Sequence, residues 1–339
     1  LNLVYIGNIM ASNFTSTSQP NGSREDLANW ISNISRDMTP FVSSIGKGKA
    51  SATLHEWSTD TLQAATVQAA AEGATFAESD SPVITRLTNK TQIFTKGIRV
   101  SGTLESVDKA GRKSEFKYQT EKRGKEMARD VEAWMLSANI AATHGGSATG
   151  LIQAAARKMG AYQAYSTVNV VAGTAAAATG SGAVTGAGDG TAIAVAQSAH
   201  TNIAVTLADI NEVLRAINGV TSAAPSKLMM STTNKVRFSD LMTGTTNVRR
   251  NIDEKGKLRQ SVDLYESDFG DVELVHNYLM QNEEIFVYDP SAMSMNTLRP
   301  LHFRDINEDG DSLRSFLVQE LTFEAKAPTG NGVILDILA

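Results

Sequence analysis

The chain has 339 residues, 42% of them hydrophobic and 20% charged, which are proportions of a globular protein rather than a disordered one. A net charge of -5 with no long Lys/Arg cluster argues against direct recognition of nucleic acid, and the absence of cysteine removes disulfides, thiolate metal sites and a cysteine nucleophile together. No apolar run reaches the length of about 18 residues that a membrane-spanning helix needs.

In chain order, "LNLVYIGNIMASNF" is too short, and too uncharged at its head, for a secretory signal. The first methionine is Met10, and the reading takes it as the true start. Residues 1–50 are polar and irregular, with a short helix predicted from Arg24 to Ile34 under a Ser23 cap. "DMTPFVSSIGKGKA" reads as an extended arm, because Pro40, Gly46 and Gly48 interrupt a helix. "TLHEW" (Thr53 to Trp57) and "TQIFTKGIRVSGT" read as strands, the latter with Phe94, Ile98 and Val100 on one face. Together they suggest a very long hairpin, which is marginal alone in water and needs a surface to lie on.

"GRKSEFKYQTEKRGKEMARDVEAWML" opens a long helix. Ser114 suits its N-cap, Glu115 its first turn, and Gly145 the position past its end. Such a rod would be roughly 45 Å long. Met127, Val131, Trp134, Ala138 and Ala142 form a thin apolar stripe, while Glu121–Lys125 and Lys122–Glu126 are opposite-charge pairs one turn apart. Gly124 sits between the charged half and the stripe. Residues 151–205 are low in charge and rich in Ala, Gly and Thr, and are expected to form a mobile loop or an insertion with short strands. Beyond them come a helix, "LADINEVLRAIN", with Ile210, Val213, Leu214 and Ile217 facing one way, a buried strand "KLMMS", and a helix "NKVRFSDLM". The strands "DVELVHN", "EEIFVYDP", "SFLVQELTFEAKA" and "GVILDIL" follow. The pattern is α+β without βαβ regularity.

Catalytic signatures are missing. The histidines His55, His144, His200, His276 and His302 are scattered without helical zinc spacing, and no GxSxG elbow occurs. "GSGAVTGAGDG" does not fit GxGxxG, and "SSIGKGKAS" has Phe41 where a P-loop needs its first glycine. "DINEDGDSLRSF" matches the first half of a calcium loop at Asp305, Asn307, Asp309 and Gly310, but Phe316 holds the position of the bidentate Glu. An acidic turn between strands is the better reading. The N-x-S/T triplets at Asn13, Asn21, Asn33 and Asn89 are compositional accidents in a chain with no secretory signal. No catalytic residue, cofactor or metal is expected.

The blocks "REDLANWISNISRDMTPFVSSIGKGKA", "LHEWSTDTL", "TKGIRVSGTLESVDKAGRKSEFKYQTEKRGKEMARDVE" and "FGDVELVHN" resemble a podovirus-type family of major capsid proteins of tailed bacteriophages, with the Hong Kong 97-type fold. The resemblance implies an N-terminal arm (1–50), an E-loop (51–103) lying across a neighbouring subunit, a peripheral domain (104–150 and 292–327) holding the long spine helix, and an axial domain (151–291 and 328–339). It implies a structural protein, not an enzyme, that self-assembles as hexamers and pentamers into an icosahedral virion shell around double-stranded DNA, with no sequence-specific binding and no membrane. Assembly is expected in the host cytoplasm, with a separate scaffolding protein, a portal and decoration proteins. One relative cross-links its subunits through Lys–Asn bonds; no such pair is assigned here. Trp57, Glu121, Lys122, Arg123, Lys125, Asp305 and Asp309 are the intersubunit contact candidates. The same fold builds encapsulin compartments, which is the alternative reading. The resemblance also explains a helix that its own core can barely hold, since neighbouring arms and E-loops would cover it.

Overall fold

The computed structural model describes residues 38–63, 84–109, 111–141, 156–166, 169–172, 189–190, 206–220, 225–243, 263–307, 310–335 and 337, with 65, 67, 69, 71–73 and 75. The helix expected near residues 24–34, Asn13, Asn21, Asn33, His144, Gly145, His200, Asp309 and most of the Ala/Gly/Thr-rich stretch lie outside the described residues.

The elements run α1 (Pro40–Ser44), β1 (Gly46–Lys49), β2 (Leu54–Thr59), β3 (Thr85–Lys90), β4 (Gln92–Ser101), α2 (Gly102–Ser106) and α3 (Glu115–Leu136). Then come α4 (Tyr162–Tyr165), β5 (Asn169–Ala172), α5 (Leu207–Val220), β6 (Lys227–Met230) and α6 (Thr232–Thr243). The last are β7 (Leu264–Ser267), β8 (Gly270–His276), β9 (Ile285–Tyr288), β10 (Met293–Asp305), β11 (Ser312–Ala325) and β12 (Gly332–Leu335). They form a four-stranded sheet β1-β10-β11-β4, a six-stranded sheet β5-β12-β9-β6-β8-β7 and a two-stranded hairpin β2-β3. α3 lies over β4 and β11, and α5 over β5 and β12. One buried cluster joins all three sheets, with Trp57 and Leu87 from the hairpin, Met127 and Met135 from α3, Phe323 from β11 and Phe286 from β9. A second core lies under α5, where Ile210, Val213, Leu214 and Ile217 are buried as the periodicity predicts.

The structure corrects several expectations. The hairpin does not join "TLHEW" to "TQIFTKGIRV": β2 pairs antiparallel with β3, from Leu54↔Lys90 to Thr59↔Thr85, whereas β4 pairs with β11. β3 escapes notice because its inward residues are Leu87 and a polar one, Asn89. Asn89 is fully buried; its amide donates to Gly160 O (3.2 Å) and Phe323 O (2.7 Å), and its carbonyl accepts from Gly160 N (2.8 Å).

"PFVSS" is a short helix rather than extended arm, and "GKGK" is a strand paired in parallel with β10. Pro40 starts the helix, where a missing N–H loses nothing. Phe41 then enters an aromatic cluster with Tyr288 (5.2 Å) and Tyr162 (5.7 Å). The early part of the supposed loop is core as well: Met159, Tyr162, Ala164 and Tyr165 are buried, and the Tyr162 hydroxyl lies 2.9 Å from the carbonyls of Val287 and Gly332.

α3 begins where expected, with Ser114 Oγ accepting from Lys117 N at 3.3 Å. It stops at Leu136 after 22 residues, about 33 Å at 1.5 Å per residue. Tertiary hydrogen bonds take over there: Asn139 O accepts from Ala161 N (2.9 Å), and Ala141 N donates to Gly190 O (3.3 Å). The buried stripe is therefore Met127, Val131, Met135 and Leu136; Ala138 lies beyond the helix, and Ala142 outside the described residues. Finally, β10 is a strand that the sequence conceals. Pro300 interrupts its pattern, and the structure accommodates it between register shifts at Thr297/Arg299 and Arg299/His302.

Candidate assembly surfaces

The N-terminal end of α3 is bound into its subunit by polar contacts. Glu105 Oε2 accepts from Glu115 N (2.9 Å) and Phe116 N (3.3 Å). Hydrogen bonds from Ser114 and from these two amides hold the Glu105 carboxyl below the usual carboxylate range. Glu115 accepts from Gln119 Nε2 at 2.7 Å and pairs with Arg112; those donors keep it low as well.

One turn further on, Glu121, Lys122 and Lys125 are exposed, and Arg123 is half-buried. Glu121 and Lys125 make the expected pair, loosely, at 3.9 Å. Glu126 is engaged by Arg123 rather than by the expected Lys122, because the i,i+3 guanidinium reaches it. Glu121, Lys122 and Lys125 carry a charged ridge on the exposed side of the helix, with Arg123 at its edge beside Ile98 and Leu104. Lys96–Asp130 (2.6 Å) clamps the next turn to β4.

Trp57 is a different case. Its indole is buried in the subunit's own core beside Tyr165 (5.7 Å), and Nε1 donates to Ala325 O at 2.8 Å. That placement buries most of its side chain within the subunit. Among the described residues, the exposed apolar side chains of the hairpin and its connection are instead Leu54, Leu62, Val67 and Ile84. Leu62 and Val67 stand among small and polar residues, with no stripe visible in the sequence.

The third surface is the outer end of β10 and β11. Asp305 is exposed at the close of β10, and Gly310, with φ +78°, supplies the left-handed residue that the turn needs. Asp311 ties the turn inward, accepting from Gly102 N (3.2 Å) through its backbone carbonyl. Leu301, Phe303 and Ile306 are exposed nearby, with Phe303 edge-to-face on Phe116 at 5.7 Å. Asp305 stands at the opposite end of β10 from the Gly46–Lys49 pairing.

Beneath these surfaces, buried carboxylates knit the sheets. Burial pushes Glu320 up, but the Thr91 hydroxyl (2.7 Å) and the guanidinium groups of Arg299 (2.7 Å) and Arg157 outweigh it and hold the carboxyl low. Burial likewise raises Glu324, and donors from His55, Asn296 and Ser294 more than offset it. Among the described residues no group of three His, Asp or Glu side chains is placed to hold a metal ion, and no helix is long and apolar enough to cross a membrane.

The family model of the SU10 major capsid protein matches residues 10–338. The chain belongs to that family. This capsid protein is 28% identical over 332 residues to the major capsid protein of Escherichia phage Phieco32, covering 93% of this chain and 94% of that one. Among solved structures, it resembles the cyanophage A-1(L) capsid with a TM-score of 0.63 and 12% identity, over 95% of this chain and 99% of that one. It resembles the capsid of a native GTA particle with a TM-score of 0.62 and 12% identity, over 96% and 100% of the two chains. A chain of Gordonia phage Cozz gives 0.60 and 9%, over 99% of each. At such identities the likeness establishes the fold, which is α+β and of the Hong Kong 97 type. The capsid protein is a structural component of the virion shell, and the family match does not favour the encapsulin alternative.

Proposed function

We propose that this capsid protein assembles through its three exposed surfaces into pentamers and hexamers of a closed shell around double-stranded DNA, without catalysing a reaction. The observation that carries the reading is the pairing of an exposed charged ridge (Glu121, Lys122, Arg123, Lys125) with a hairpin whose Leu62, Val67 and Ile84 lie open to water. The ridge stays solvent-facing although Glu121 pairs loosely with Lys125, and the hairpin's apolar side chains are largely exposed. Both are what a lattice contact would cover, and intersubunit area well above the roughly 1,600 Å² of a standard complex is expected.

The proposed division keeps residues 1–50 as an N-terminal arm, although α1 and β1 anchor its end in the body. The E-loop of residues 51–103 projects as the β2–β3 hairpin, with β4 as its root in the four-stranded sheet. The peripheral domain (104–150, 292–327) holds α3 and the β10–β11 tip with Asp305 and Asp309, and the axial domain (151–291, 328–339) holds the six-stranded sheet. A separate scaffolding protein, a portal and decoration proteins complete the assembly, and the DNA is enclosed without base recognition, consistent with the net charge of -5.

Electron microscopy and sedimentation of the purified, concentrated protein test this. Rings or closed shells are expected. A monodisperse monomer at high concentration, with and without a scaffold, overturns it.

A further inference from the structure

α3 covers one face of the four-stranded sheet. Phe94 of β4 packs edge-to-face on Trp134 of α3 (6.4 Å), and Lys96 reaches Asp130 of α3 at 2.6 Å. Ile98 and Val100, on the same side of β4, are buried. Side chains alternate along a strand, so Thr95, Gly97 and Arg99 point to the opposite face. Residues directly across an antiparallel ladder share a face. The register therefore adds Arg314, Phe316, Val318 and Glu320 of β11, and Arg304 and His302 of β10. Phe303, between those two, turns the other way and rests on Phe116 of α3 at 5.7 Å.

The inner end of this second face is covered. The β2–β3 hairpin lies there, with His55 on Glu324 and Trp57 on the Ala325 carbonyl. The carboxylates of the face sit at that end and are taken, Glu324 by His55 and Glu320 by Arg157, Arg299 and Thr91. The outer end is bare. Thr95, Gly97, Arg99 and Arg304 are exposed, and a Cβ built on Gly97 meets nothing within 4 Å. Arg99 stands directly opposite Arg314, and Arg304 opposite Phe316. Like charges directly opposite each other destabilise a sheet. Neither Arg99 nor Arg304 pairs with a carboxylate among the described residues.

Such a face suits a polyanion. A subunit interface gathers apolar and aromatic side chains at its centre and thins out charge. The bare end does the reverse, setting guanidinium groups around Phe316, with Ile306 at the rim. A guanidinium fork bonds phosphate oxygens in pairs and stays charged at any working pH. We propose that this outer end, built on Arg99, Arg304 and Arg314, faces the interior of the shell and binds the phosphate backbone of the enclosed double-stranded DNA. The proposal rests on the shell reading above and adds where the genome touches the subunit. Contacts to phosphate carry no base information, in keeping with DNA held without sequence recognition. The three arginines come from β4, β10 and β11, so no basic run in the sequence announces them. A net charge of -5 is compatible with a local positive patch of this kind.

Arg99→Gln with Arg304→Gln tests the contact. The full chain, held unassembled at low concentration, is titrated with a short DNA duplex by fluorescence anisotropy. The variant is expected to bind about tenfold more weakly at low salt, and the slope of log affinity against log salt should fall by about 2, since each phosphate contact contributes about 0.9. Lys122→Gln with Lys125→Gln removes the same charge from the ridge of α3 and should leave the slope unchanged. Equal slopes for wild type and the arginine variant, or equal losses from both variants, overturn the site. Particles then locate the face. The chain has no cysteine, so Thr95→Cys is a unique label beside Gly97 and Arg99. It should resist a polymer-linked maleimide in filled shells and react once shells are opened and emptied. Reaction in intact filled shells places the face outside, and protection in both states places it under a neighbouring subunit. Either result overturns the DNA contact and leaves the capsid reading intact. Failure of the wild-type chain to form particles at all overturns the capsid reading, and the DNA contact with it.

Discussion

Phe41 donates its backbone N–H to the Glu132 carboxylate across 2.8 Å, joining residues 91 apart in the chain. Val42 N does the same to the second carboxylate oxygen at 2.8 Å, and Asn277 Nδ2 donates to the first at 2.6 Å. α1 lacks a cap of its own, since Thr39 makes no side-chain cap hydrogen bond and Pro40 fills the first position. A carboxylate from α3 thus caps α1 from outside, at the point where the N-terminal segment enters the body. Glu132 is fully buried, and burial pushes its pKa up against the three donors.

Glu132→Ala is therefore expected to destabilise the subunit by roughly 3 kcal/mol or more, because it strands two buried N–H groups and the Asn277 amide. Glu132→Gln keeps one acceptor oxygen and should lose less. Denaturant unfolding gives the size of the loss, and limited proteolysis should show new cleavage close to Phe41. A loss under about 1 kcal/mol would mean that the carboxylate contributes little there.

Glu284 predicts a pH dependence. It is buried, Oε2 has no hydrogen-bond partner among the described residues, and burial raises its pKa from 4.5 to about 7. Below pH 4.5 the folded and unfolded states both hold the proton, so Glu284 adds no penalty. Between 4.5 and 7 the unfolded chain releases it while the folded chain keeps it, and stability falls as pH rises. Above 7 the penalty is constant at up to about 3 kcal/mol. Glu284→Gln removes it. The variant should be more stable than wild type at pH 8, and the difference should close as pH falls toward 4.5. A stability difference that does not change across that range would contradict a raised pKa.

Glu320 predicts the opposite response. It joins Arg157 from the segment before α4, Arg299 from β10 and Thr91 between β3 and β4. Its carboxyl is held low, so its stabilisation is present above the unfolded value of 4.5 and fades as pH drops through the lower folded value. Glu320→Ala leaves two guanidinium groups without their shared partner, and a loss of about 2–4 kcal/mol at pH 7 is expected. Arg157 and Arg299 are partly exposed, which keeps the figure below that of a fully buried triad. The decisive comparison is with Glu320→Gln at acid pH, where wild type and variant should converge.

How much of this was legible depended on whether local chemistry or distant partners decide each element. Ser114 as a cap and the Ile210–Ile217 face of α5 follow from hydrogen-bonding and periodicity within one turn or two, and both were readable. The stop of α3 at Leu136 was not, because no Gly or Pro marks it and the competing hydrogen bonds come from Ala161 and Gly190. α1 was hidden for the same reason, its cap being Glu132. β3 and β10 were hidden by an inward-facing asparagine and by Pro300. On the surface, charged contact candidates on α3 could be named from composition, whereas the burial of Trp57, another candidate, against Tyr165 and the Ala325 carbonyl depends on residues far along the chain.

Gly124 lies in the middle of α3, beside the charged ridge, and a Cβ built there meets nothing within 4 Å. Within one subunit no close packing explains the glycine. Gly124→Ala should then stabilise an isolated subunit by about 1 kcal/mol, since alanine gives up less backbone freedom in a helix. The behaviour of assembled particles separates two reasons for keeping it. If a neighbouring subunit's backbone lies against residue 124 in the shell, the added methyl clashes and mature shells melt lower than wild type. If the glycine instead makes α3 easier to bend in a precursor shell, the substitution disfavours the precursor: assembly becomes inefficient, while mature shells melt no lower. The second outcome is the expected one, because nothing in the subunit meets a Cβ at residue 124 and a mid-helix glycine weakens the helix against bending. Precursor yield and shell melting temperature, measured on one preparation of the variant, distinguish the two. An unchanged yield with unchanged melting would leave neither reason standing.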